Sequence, residues 1–271
     1  MIFSLDFAII FPANSHQKGR RLMTKQVKSK QRVADHGEVF TAEREVNAML
    51  DLVKQETERI DSRFLEPACG DGNFLAEILR RKLVVVERES HQIRLNRKTL
   101  ARTTLKAIDK PLYEKNAFIA VTSIYGIDIM QDNVEACRER MFTIWNEAYT
   151  SICKDEATDL CRQAVRYVLA HNIVCGNALS MMQVDSEGND TKEPIILPEW
   201  SFVMGDMVKR TDNKFSDLME QTPEVKPLFE EEHDDAPQSL LDFLDAPNDP
   251  TDSTIIRTYS PCHYLRLSEQ G

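Results

Sequence analysis

Phe64-Leu-Glu-Pro-Ala-Cys-Gly-Asp-Gly-Asn-Phe74 is the stretch that decides how this chain folds. An apolar start, an acidic residue and two glycines flanking an aspartate, ahead of a helical run, is how a strand delivers its backbone to a ligand. Phe64 and Leu65 read as the end of a buried strand. Gly70 and Gly72 let the turn come close to a ligand with no Cβ in the way. A helix predicted over about Asn73 to Lys82 points its positive end into the same crevice. A tight strand-to-helix connection also needs glycine for purely structural reasons, so the turn alone leaves both readings open.

Working outward, Glu43 to Ile60 carries Val46, Met49, Leu50 and Val53 at helical spacing, with Thr41 as N-cap and Glu43 in the first turn. Downstream, a second strand is predicted at Ser123 to Ile129. A helix over about Asp132 to Tyr149 follows, with Val134, Cys137, Met141, Ile144 and Trp145 on one face. Another helix, Ala157 to Ala170, leads into a third strand at Asn172 to Cys175. Strand, helix, strand, helix, strand is the doubly wound order, which demands a parallel sheet with helices on its faces. Ligands in such sheets sit beyond the carboxyl ends of the strands. Residues 83 to 120 read as an inserted helical connection broken at Pro111. Glu193 to Gly205 reads as one hairpin or strand, and Thr222 to Asp252 as an acidic, proline-rich tail.

The chain has 271 residues, 42% hydrophobic and 29% charged, which places it in the globular class. No apolar run approaches the roughly 20 residues of a membrane span. Phe7 to Phe11 is too short for a secretion signal, and no basic residue precedes it. The polar stretch from Met23 suggests that residues 1 to 22 are an over-extended start or a disordered tail. Six cysteines without a Cys-x-x-Cys pair suggest neither a zinc site nor a disulfide framework and point to a reducing cytoplasm.

The formal charge is -10, yet its distribution matters more than its sum. Residues 1 to 200 hold 28 Lys and Arg against 29 Asp and Glu, whereas residues 201 to 250 hold 4 against 13. Two basic clusters stand out: Lys18, Arg20, Arg21, Lys25, Lys28, Lys30 and Arg32, then Arg94, Arg97, Lys98, Arg102 and Lys106. Each is suited to phosphate contacts, or is simply solvated surface.

Four motifs occur in a set order: His36-Gly-Glu-Val-Phe40-Thr41, Glu66-Pro-Ala-Cys-Gly-Asp-Gly72, Tyr125-Gly-Ile-Asp-Ile129 and Cys175-Gly-Asn-Ala-Leu179. Over roughly residues 33 to 180 the chain resembles the cofactor half of the adenine-N6 DNA methyltransferases of restriction-modification systems, in the group whose cofactor motifs precede the catalytic one. The resemblance implies S-adenosylmethionine as ligand. It implies an α/β fold with a Rossmann-like methyltransferase sheet, incomplete, with a helical insertion and an acidic disordered C-terminal tail. The expected divisions are a basic disordered arm at 1–32, the cofactor domain at 33–205 and the tail at 206–271.

The same resemblance assigns roles. Phe40 and Thr41 would close over the methionine carboxylate, although Ala42 replaces the usual proline. Glu66 would face the methionine end, and Ala68, Gly70 and Gly72 would line the turn. Asp128 ends the second strand, where a carboxylate accepts hydrogen bonds from both ribose hydroxyls, with Ile129 beside it. Asn177 stands where the family carries an aspartate for the adenine amino group, and Ala178 follows it. Each has an ordinary alternative: a salt bridge for Glu66, an N-cap or turn for Asp128, a cap and staple for Phe40 and Thr41. A nicotinamide dinucleotide is disfavoured, because the third glycine of its fingerprint is Leu75 here.

The catalytic Asp/Asn-Pro-Pro-Tyr/Phe segment of the family, which binds the flipped adenine, is missing: the chain contains no Pro-Pro pair. Leu197-Pro-Glu-Trp-Ser-Phe202, the nearest counterpart, offers an aromatic but no amide. The expectation is therefore one half of a split, cytoplasmic DNA methyltransferase, without metal or membrane anchor. A partner chain would bring the catalytic loop, the fourth strand and target recognition, docking on the exposed edge of the sheet. The alternatives are a non-catalytic DNA-binding or regulatory subunit of a restriction complex, or methylation of RNA or protein. Asp217 with Glu224 and Lys226 only faintly suggests a metal nuclease.

Overall fold

The computed structural model describes residues 7–9, 41–95, 102–221 and 255–270. In chain order the first six strands are β1 (Phe7–Ile9), β2 (Arg63–Glu66), β3 (His91–Leu95), β4 (Arg102–Ile108), β5 (Ile124–Asp128) and β6 (Ile173–Cys175). Between them run α1 (Glu43–Leu52), α2 (Lys54–Thr57), α3 (Asn73–Glu89), α4 (Lys110–Thr122), α5 (Gln131–Cys153) and α6 (Asp159–Asn172). There follow β7 (Met182–Val184), β8 (Asp190–Pro194), β9 (Ile196–Met204), β10 (Met207–Lys214), α7 (Phe215–Gln221), β11 (Ile255–Thr258) and β12 (Cys262–His263). A 3-10 segment, Tyr264–Gln270, comes last.

The architecture is mixed α/β. One sheet is parallel throughout, in the order β1-β2-β5-β6, with Ala8 opposite Phe64, Leu65 opposite Tyr125 and Ile127 opposite Val174. All five residues of β5 are buried, as expected of a parallel strand covered on both faces. The other sheets among the described residues are antiparallel: β9, β11 and β12 around β10, and the hairpins β3–β4 and β7–β8.

Helix α3 supplies much of the core through Leu75, Ile78, Leu79 and Val86, and Trp145 and Tyr149 of α5 stack at 4.7 Å. Lys82 of α3 is fully buried, and its three ammonium protons find three acceptors: Ile60 O at 2.9 Å, Ser62 O at 2.5 Å and Ser123 Oγ at 2.7 Å. It ties α3 to the segments that enter β2 and β5. The antiparallel sheet is joined to this layer by Tyr125 Oη donating to Pro198 O at 2.9 Å and Trp200 Nε1 donating to Asn172 Oδ1 at 2.8 Å. Arg210 of β10 holds Asp212 at 2.6 and 2.9 Å and reaches Tyr167 of α6 at 2.7 Å, with Tyr259 under its guanidinium.

Several expectations are corrected. Residues 83 to 120 are not a helical insertion. Helix α3 runs on to Glu89, the β3–β4 hairpin follows, and only 110–122 is helical again. Ile93, Thr103, Thr104 and Ile108 are β-branched and favour the extended chain. Pro111 starts α4 instead of breaking it: proline in the first turn sacrifices no hydrogen bond, and Asp109 caps the helix by accepting from Leu112 N at 3.1 Å. The N-cap of α1 is Ala42 rather than Thr41, with no side-chain cap.

The arm expected to be disordered contains β1, whose backbone pairs in parallel with β2. The part read as an acidic tail holds β10, which pairs along its whole length with β9, and Tyr264 and Leu267, which are buried in the core. No helix among the described residues is long and apolar enough to cross a membrane.

Candidate functional site

The turn from Glu66 to Gly72 leaves β2 at its carboxyl end and enters α3. Gly70 and Gly72 adopt φ of +54° and +88°, the left-handed region that favours glycine. The space a Cβ would fill at Gly72 is taken by Cys137 Sγ of α5, only 2.6 Å away. At Gly126 of β5, Leu75 and Cys69 lie at 2.8 and 3.0 Å from the same imaginary atom. These close approaches are thus between elements of the protein. Cys69 N donates to Ile127 O at 2.9 Å, binding the turn to β5.

Asp128 ends β5 beside the turn and is 9% exposed. Its Oδ2 accepts from Gly70 N at 2.8 Å, and its Oδ1 accepts from Met130 N at 2.9 Å and Asn133 Nδ2 at 3.1 Å. The carboxylate therefore fastens the glycine turn to the start of α5. Its own carbonyl accepts from Gly176 N at 2.9 Å, which brings the end of β6 alongside, and Ile129 O accepts from Cys175 Sγ at 3.6 Å.

Glu66 is the chemically unusual member. It is 2% exposed, and its Oε2 has no hydrogen-bond partner among the described residues. Burial pushes its pKa up to about 8; the Ala68 N–H opposes that shift and the nearby Asp128 charge adds to it. A carboxyl oxygen desolvated without a partner is costly, and such exceptions call for a reason. A cation placed against Glu66 would supply one.

Asn177 follows β6 and folds its side chain into a turn. Oδ1 accepts from Leu179 N at 3.0 Å and Nδ2 donates to Asp190 Oδ1 at 3.0 Å, while Ala178 packs against the core. The amide oxygen keeps a second lone pair for another donor. In the same turn Met181 has φ of +61°, which is strained for a residue with a side chain. Thr41 comes to the site through its carbonyl, which accepts from Asn73 Nδ2 at 3.2 Å. Phe40 lies outside the described residues.

The structure thus gathers Thr41, Glu66, Ala68, Gly70, Gly72, Asp128 and Ile129 around one turn, with Asn177 and Ala178 at the neighbouring strand end. Sequence reasoning missed Asn73, Asn133, Cys137 and Arg140. Arg140 Nη1 donates to Asn73 Oδ1 at 2.7 Å and touches Asp71 at 3.4 Å. Asn133, Cys137 and Arg140 recur at helical spacing just after Asp128, which was the available signal. Trp200, the aromatic of the would-be catalytic stretch, is 6% exposed and bonded to Asn172, so it offers no free face to a base.

A cavity of about 500 Å³ lies elsewhere, lined by Asp109, Glu114, Lys115, Cys153 and Tyr264 among others. Cys153 ends the 23-residue α5, about 35 Å along the helix axis from Asp128, and no candidate residue borders that cavity. Among the described residues no group of three or more His, Cys, Asp or Glu side chains is arranged to hold a metal ion. No protein-family model, curated protein or solved structure matches the chain.

Proposed function

We propose that this chain is the S-adenosylmethionine-binding subunit of an adenine-N6 DNA methyltransferase, with the catalytic loop on a partner chain. The observation that carries the reading is the buried, half-unpartnered carboxyl of Glu66 beneath the glycine turn, at the carboxyl end of a parallel sheet. A desolvated carboxylate with Asp128 beside it suits a cationic ligand and penalises a neutral or anionic one.

The ligand, when bound, supplies an electrophilic methyl group on a sulfonium sulfur. The residues' tasks are binding and orientation. Glu66 would accept from the ligand's ammonium, releasing its own proton to solvent. Asp128 would accept from ribose hydroxyls, lengthening or exchanging its bonds to Gly70 N and Asn133 Nδ2. Asn177 would offer the second lone pair of its amide oxygen to the adenine amino group. The positive end of α3 and the chain around Thr41 would hold the ligand's carboxylate.

The bonds of Asp128 also favour a second reading, in which the carboxylate is purely structural and the chain is a non-catalytic subunit of a restriction complex. Isothermal titration with S-adenosylmethionine separates the two. The first reading expects binding that Glu66→Gln weakens at least tenfold; absence of binding, alone and with the adjacent gene product co-expressed, leaves only the second. Methyl transfer to DNA by the purified chain alone would overturn the division of labour.

A further inference from the structure

We propose that Arg140 is a positioning residue of the glycine-turn site, acting through Asn73 to hold the chain at Thr41 against the mouth of the turn. The inference rests on the cofactor reading above and deepens it, because it names a residue that serves the ligand only through a neighbour. Gly72, the N-cap of α3, brings no capping side chain, and Ala42, the N-cap of α1, brings none either. Asn73 joins the two helix starts instead: its Nδ2 donates to Thr41 O at 3.2 Å.

A side-chain amide can face either way, since its oxygen only accepts and its nitrogen only donates. Arg140 of α5 selects the direction. Its Nη1 donates to Asn73 Oδ1 at 2.7 Å, the length of a charge-assisted bond. With the oxygen pinned by a cation, the nitrogen is left to meet the Thr41 carbonyl. Turned round, the amide would set oxygen against oxygen and its own donors against a guanidinium. The same Nη1 lies 3.4 Å from both the carbonyl and Oδ1 of Asp71, the residue between Gly70 and Gly72. One cation therefore touches the apex of the turn and orients the amide beside it.

Packing makes the mouth of the site the part that depends on this contact. Farther along α1, Arg81 of α3 donates to Asn47 Oδ1 at 2.9 Å and pairs with Asp51 at 2.8 Å, and Val46 and Leu50 are buried. Thr41 and Ala42 are only half-buried. Loss of Arg140 thus frees the entry to α1 without unseating the helix. On α5, Asn133, Cys137 and Arg140 recur at helical spacing. Asn133 bonds Asp128, Cys137 Sγ fills the space beside Gly72, and Arg140 reaches the apex. Arg140 is the most exposed of the three, at the open side of the site.

Two measurements on the full chain test this. Isothermal titration with S-adenosylmethionine compares the wild type with Arg140→Gln, Asn73→Ala, the double variant and Arg140→Lys. The first two should each bind about tenfold more weakly, and the double variant should lie within about twofold of Asn73→Ala, because the residues act in series. All the contacts of Arg140 named above come from one nitrogen, so Arg140→Lys, whose ammonium carries three donors, should stay within about threefold of wild type. Hydrogen exchange without ligand reads the segment itself, since Glu45 N and Val46 N donate to Ala42 O. Those amides should exchange about tenfold faster in Arg140→Gln and in Asn73→Ala, with Leu50 to Val53 unchanged. Losses that multiply in the double variant, or an Arg140→Lys as weak as Arg140→Gln, would overturn the proposal. So would exchange that quickens throughout the chain, the mark of a merely structural role, or exchange unchanged at Glu45 and Val46. Should the wild type bind no S-adenosylmethionine, the cofactor assignment falls, and the exchange comparison alone decides whether Arg140 holds the segment.

Discussion

At the scale of single residues, Glu66 makes the sharpest prediction. Its pKa is about 8 in the folded chain against an ordinary 4.5, so the native state holds a proton that the unfolded state releases between those values. The stability this confers is complete below pH 4.5 and is lost as pH rises through 8, on the order of 5 kcal/mol at most. Glu66→Gln should therefore unfold at a higher temperature than wild type at pH 9 and at a similar one at pH 5; parallel melting curves would refute this. Under the proposed function the same proton would be expelled when the cationic ligand binds, so affinity for S-adenosylmethionine should rise from about pH 6.5 to 8.5, a slope that titration calorimetry reads directly. Gly72→Ala forces a methyl group at φ +88° to within 2.6 Å of Cys137 Sγ. It should cost about 1–3 kcal/mol in urea denaturation, and Cys137→Ala in the same chain should return part of that loss.

At the scale of elements, what was legible in the sequence follows from how each strand is buried. Phe64-Leu65 and Ile124 to Ile127 read as strands because parallel strands, covered on both faces, are apolar runs. The turn that joins β2 to α3 was legible for the same reason, since its glycines stand between a buried strand and a helical repeat. Strand β10 was not legible. Arg210, Thr211, Asp212 and Asn213 are all buried, but they satisfy one another and Tyr167, so no hydrophobic period marks them. In the candidate site, the motif residues were visible and their partners were not, because Asn73 and Asn133 act through side-chain hydrogen bonds that leave no periodic mark in the sequence. Lys82 was equally silent: nothing local distinguishes it from its neighbours Arg80, which is exposed, and Arg81, which pairs with Asp51 and Glu77. Lys82→Met should destabilise the chain by about 1–3 kcal/mol in denaturant unfolding, because it strands the Ser62 carbonyl without its donor and leaves the Ile60 carbonyl to Ser123 Oγ at 3.2 Å. A cost below about 1 kcal/mol would mean that water replaces the ammonium.

At the scale of the whole molecule, the parallel sheet and the antiparallel sheet share one core, so the region whose composition reads as a tail is structural. Cutting the chain after Gln221 removes β11, β12, Tyr264 and Leu267 from that core. The expected outcome is an early, non-cooperative thermal transition, whereas a dispensable tail would leave the melting curve unchanged. Among the described residues the parallel sheet ends at β1 and β6, each only three residues long. Short strands of that kind limit edge-to-edge association. The hydrogen bond from Tyr264 Oη to Glu114 at 2.8 Å closes a span of 150 positions. A ribosome that has released only the first two hundred residues therefore holds an intermediate with an unfilled core and a Glu114 carboxylate still held by Tyr149 but lacking its second phenol, and such a nascent chain is a natural client for a chaperone.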